Sequence, residues 1–121
     1  MAQARRDLEA AAWAAKGGFH EWACFTAQQS AEKAAKAVFQ KLGGESWGHS
    51  VAALLVGLRE KVEVSDETVG LGRLLDRFYI PARYPNGWDD GSPKDFYTDK
   101  DSHNALSAAE EILRFCDGVL A

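Results

Sequence analysis

Few side chains in this sequence have the type and position to hold a phosphate. Arg83 opens the longest polar stretch, YPNGWDDGSPKDFYT at residues 84–98, where a guanidinium can grip a phosphate through two parallel hydrogen bonds. It can equally cap the carbonyls ending the preceding helix, or pair with Asp89 or Asp90. Tyr84, with Pro85, shapes the turn beside it. Lys33 and Lys36 stand three residues apart in a helical pattern, so they lie on one side of that helix. They add positive charge to a nucleotide site if Arg83 shares that side, and otherwise read as solvated lysines. His49 precedes an apolar helix and can bond a base or a phosphate, or act as a local cap. Gln28 and Gln29 suit a base edge or a bridge between helices across a dimer interface, and Trp22, Trp47, Trp88 and Tyr97 suit base stacking, core packing or dimer contact.

Other chemistries are harder to support. Asp89, Asp90, Asp95, Asp99 and Asp101 crowd one region, but their spacing matches no metal loop, and turn formation and helix capping account for them. Cys24 and Cys116 have no CxxC spacing and fall within helical patterns, so they read as buried free thiols. No catalytic constellation follows from residue types and spacing, and no metal or cofactor is expected.

The elements that position these residues are all helical. The longest runs over 19–42, where Ala23, Ala27, Ala31, Ala34, Val38 and Leu42 recur at steps of three and four. That row of small side chains is a seam for close helix packing, within the chain or between two copies. Gly17-Gly18 precede the helix and Gly43-Gly44 follow it. Residues 3–16 form a first helix through Leu8, Ala11, Ala12 and Ala15. Val51, Leu54, Leu55, Leu58 and Val62 mark a third, capped from Ser46 or His49-Ser50. Ser65 starts a fourth, whose spacing continues towards Arg83 with Pro81 kinking or ending it near Ile80, while Gly70 and Gly72 weaken its first turn. Thr98 or Asp99 caps the last, with Ala105, Ala108, Ala109, Ile112, Phe115, Cys116 and Val119 as its apolar stripe. The expectation is an all-α, up-and-down bundle of about five helices in one domain over 1–121.

Bulk composition agrees with that fold. A chain of 121 residues can bury roughly two-thirds of the surface it exposes when unfolded. Hydrophobic residues at 46% and charged ones at 26% are ordinary globular values, and no apolar run reaches the ~20 residues of a membrane span. The first ten residues, MAQARRDLEA, lack an apolar core behind their basic residues, so cytoplasm is the default location. A net charge of −4 argues against bulk nucleic-acid binding, though not against a local phosphate site.

Together, Asp7 with its following alanines, FTAQQSAEKAAKAVF at 25–39, His49, YIPARYP at 79–85 and TDKDSHNALSAAEEILRF at 98–115 resemble the HEPN domain family. The resemblance implies a homodimeric helical bundle with a role in nucleotide binding, acting with a minimal nucleotidyltransferase encoded beside it. Another arm of that family consists of metal-independent ribonucleases, many of them toxins, that share an Arg followed after four to six residues by His. Here the positions spaced in that way from Arg83 hold Trp88, Asp89 and Asp90, and His20, His49 and His103 have no Arg correspondingly upstream. The ribonuclease motif is absent. The leading expectation is therefore a nucleotide-binding or accessory module, with a divergent ribonuclease or a structural dimerisation protein as alternatives.

Overall fold

A computed structural model describes residues 1–79 and 97–121. Among the described residues five helices occur in order, α1 (Ala2–Lys16), α2 (His20–Lys41), α3 (Val51–Leu58), α4 (Asp66–Asp76) and α5 (Asp99–Leu120), and no strand. The central element is α2, which packs against all four others. Ala23, Ala27, Ala31, Ala34 and Val38 are wholly buried, so the small-residue seam is satisfied inside one chain. Facing it are Ala4 and Ala11 of α1 and Ala105, Ala108 and Ala109 of α5. With so little side-chain bulk the backbones come close, and the Ser30 hydroxyl reaches the Ala4 carbonyl at 2.7 Å.

Both ends of the α1–α2 hairpin close as the glycine pairs predict. After α1, Gly18 turns to φ 81° and donates to the Ala15 carbonyl, while Phe19 donates to that of Ala14. After α2, Gly43 at φ 78° donates to Gln40 and Gly44 to Phe39. These paired bonds satisfy the last carbonyls of each helix and require the left-handed backbone that glycine adopts without strain. The N-termini of α3, α4 and α5 are capped by side chains, whereas those of α1 and α2 have no side-chain cap. Ser50 accepts from Ala53 N, Ser65 from Thr68 N, and Thr98 forms a reciprocal capping box with Asp101.

Two helices stop earlier than their periodicity suggests. α3 ends at Leu58, because Arg59 and Glu60 switch to i→i+3 bonds and the Arg59 side chain reaches forward to the Val64 carbonyl at 3.0 Å. Val62 still packs on the core from the turn that follows. α4 ends at Asp76, after which Phe78 N bonds the Leu75 carbonyl in a tighter turn. Within α4 the two glycines differ. A Cβ on Gly72 would lie 3.0 Å from Ala52 N of α3, whereas one on Gly70 would meet nothing within 4 Å. Gly72 thus packs against the first turn of α3 with no room for a side chain.

Candidate functional site

On one side of α2 the chain builds a connected polar cluster. Glu32 is only 5% exposed, although it stands in the middle of the helix. Its carboxylate is satisfied from three directions. Lys36 Nζ and His49 Nδ1 donate to the same oxygen, Oε2, at 3.0 and 3.2 Å, and Gln29 Nε2 donates to Oε1 at 3.4 Å. The Glu32–Lys36 pair has the i,i+4 spacing of a helical ion pair, but its acid is buried, so it is no ordinary surface pair.

His49 is held at three points while its ring stays open to solvent, with 59% of its side chain exposed. Its carbonyl accepts from Gln28 Nε2 at 2.8 Å, its Nδ1 faces Glu32, and its ring stacks on Tyr79 with centroids 5.2 Å apart and planes 18° apart. An ionised carboxylate beside Nδ1 requires a proton on that nitrogen, so the neutral ring carries its lone pair on Nε2. Tyr79 in turn stacks on Phe25, and Phe25 meets the half-exposed Trp22 edge-on.

Beneath this, the Asp76 carboxylate reaches from the end of α4 to the start of α3. It accepts from Ser50 Oγ at 2.7 Å, Val51 N at 2.8 Å, Ala52 N at 3.1 Å and Gln28 Nε2 at 3.3 Å. An acid in the last turn of its own helix is poorly placed for that helix's dipole. Here it answers the dipole of another helix, whose free N–H groups point at it.

Lys33 and Lys36 line one open cavity of ≈ 480 Å³, together with Gln3, Gln40, Gly44 and Ser46. Among the described residues no carboxylate-bearing one belongs to that lining, although each ammonium already has a carboxylate partner. Lys33 donates to Asp7 of α1 at 2.5 Å, and Lys36 to Glu32. Asp7 also accepts from Gln3 Nε2 at 2.8 Å.

Of the residues singled out in the sequence, Lys36 and His49 meet at Glu32, and Lys33 joins Lys36 at the cavity. Arg83 and Tyr84, with Trp88 and most of the polar stretch, lie outside the described residues. Gln28 is fully buried and its amide is committed to His49 and Asp76, so it is a bridge between elements of one chain. Tyr97 is a core residue, whereas Trp47 is exposed. Cys24 and Cys116 are free, and burial pushes each thiol up to about 12. No group of His, Cys, Asp and Glu suited to a metal ion occurs among the described residues. Sequence reasoning missed Asp76 and the partnership of Tyr79 and Phe25. The one signal for Asp76 was an acid at the wrong end of its helix.

The family model for the HEPN domain matches residues 1–119. The chain belongs to the HEPN family. Its fold is shared with the crystal structure of TT1696 from Thermus thermophilus, at 39% identity and a TM-score of 0.92, covering 97% of this chain and 92% of that one. A HEPN domain protein, TM0613, from Thermotoga maritima is 38% identical with a TM-score of 0.82, covering 99% and 95%. The archaeal HEPN homologue ST0689 is 39% identical with a TM-score of 0.81, covering 96% and 90%. No curated protein matches. No helix among the described residues of this HEPN chain is long and apolar enough to cross a membrane.

Proposed function

We propose that this HEPN protein is a nucleotide-binding module that seats phosphates at Lys33 and Lys36 and acts, as a homodimer, with a small nucleotidyltransferase. The observation that carries the reading is the shared cavity: Lys33, Lys36, Gln3, Gln40 and Ser46 line one space to which no acid contributes among the described residues. Arg83 and Tyr84, following Tyr79 by four and five residues, complete the site in this reading. His49 borders it through Glu32.

Calorimetry with ATP, ADP and AMP tests the site. Lys33→Ala and Lys36→Ala should each weaken binding by about 10- to 100-fold, as expected for losing a charge-assisted hydrogen bond of roughly 1.5–3 kcal/mol. Full affinity in the double variant refutes the assignment. Light scattering tests the dimer, and mass spectrometry of proteins retained on the tagged chain tests the partner.

A second reading, RNA cleavage by a divergent site, is favoured by one feature. A solvent-open imidazole oriented by a buried carboxylate is the arrangement a general base requires. Absence of cleavage by the purified protein, or cleavage undiminished in His49→Ala, removes it.

A further inference from the structure

One oxygen of a buried carboxylate receives two donors, and one of them belongs to the cavity. Lys36 and His49 both bond Glu32 Oε2, yet only Lys36 lines the space assigned to phosphate. A phosphate drawing the Lys36 ammonium towards itself leaves Glu32 without its cation. A buried carboxylate stripped of its counter-charge is strongly disfavoured. Neutral His49 keeps a hydrogen bond to Glu32 but supplies no charge, whereas an imidazolium supplies both.

We propose that His49 is a proton-coupled substitute for Lys36: as a phosphate engages Lys36, His49 takes a proton from solvent and becomes the counter-ion of Glu32. The inference rests on the nucleotide reading and adds a regulation to the same site. Among the described residues, the other groups around the ring favour the exchange or leave it unopposed. Asp76 lies beyond Gln28, with its oxygens occupied by Ser50 and by the first N–H groups of α3. Gln28 and Gln29 of α2 are uncharged, and Tyr79 offers a ring face. The bound phosphate adds negative charge of its own. Among the described residues the Lys33 side has no such device, because Asp7 keeps only the Gln3 amide when Lys33 leaves.

The sign of the linkage follows. Binding takes up protons, so affinity rises as pH falls through the pH 5 to 8 span in which histidine changes charge. At the limit of one proton per ligand, affinity changes by about tenfold per pH unit. The test is calorimetry of ATP binding in two buffers of different ionisation heat, comparing the parent protein with His49→Gln. The titration of ATP itself is common to both and cancels. The parent should take up more protons than His49→Gln, by as much as one per ATP, and its affinity should fall more steeply from pH 6 to pH 8. Glu32→Gln, which removes the charge to be balanced, should behave as His49→Gln does. If Glu32→Gln fails to fold, the exposed His49 variant decides alone. ATP binding with equal proton uptake in parent and His49→Gln overturns this inference and leaves the nucleotide reading standing. No ATP binding to the parent at any pH from 6 to 8 overturns both.

Discussion

Replacing Asp76 by Ala should be among the most costly single changes outside the apolar core. Its carboxylate accepts four hydrogen bonds, two of them from the first N–H groups of α3 and one from the buried Gln28 amide. Loss of the α3 contacts resembles removal of a helix N-cap, about 1 kcal/mol with an upper range near 2. Ser50 moderates that term, since it still caps Ala53. Leaving one Gln28 N–H buried and unpaired adds roughly 1–3 kcal/mol. The sum is about 2–5 kcal/mol, a large part of the roughly 5–15 kcal/mol of a typical domain. Urea unfolding followed by helical circular dichroism measures it. The midpoint should fall with little change in slope, because the same surface is exposed on unfolding. Asp76→Asn should lose less, since its amide oxygen still accepts. A loss below about 1 kcal/mol for Asp76→Ala refutes the view that this carboxylate clamps α4 to α3.

Two further predictions separate geometry from composition. Gly70→Ala should stabilise the protein by about 0.5–1 kcal/mol, since the new methyl meets nothing and the unfolded chain loses freedom. Gly72→Ala should destabilise it instead, because the methyl would press against Ala52 N at 3.0 Å, and denaturant midpoints for the pair should move in opposite directions. With thiols pushed up to about 12 by burial, Cys24 and Cys116 should resist alkylation at pH 8 in the folded protein and react once it is unfolded. A thiol whose folded pKa exceeds its unfolded value stabilises the fold fully below that unfolded value. Stability should therefore decline as pH rises from about 9 towards 12, and less so in Cys24→Ala/Cys116→Ala, by thermal melts across that range.

Local patterns determined the helices of this protein, and tertiary packing determined which of its polar residues form a site. The alanine steps in α2, the glycine pairs around it and the Ser and Thr caps act over a few residues, within one or two helical turns, so they are readable along the chain. The motif pieces spread across the sequence sufficed for the family resemblance. Where α3 and α4 stop was less legible, since periodicity extends past Leu58 and Asp76 while the regular helical ladder gives way there to shorter i→i+3 turns. Whether the alanine seam served one chain or two was open until α1 and α5 were seen to cover it. The sequence likewise placed Lys33, Lys36 and His49 as candidates, but not their relation. Glu32 and His49 are 17 residues apart, and Gln28 and Asp76 are 48 apart. A charge buried at such a junction depends on how helices cross, and that geometry exists only once the bundle has packed.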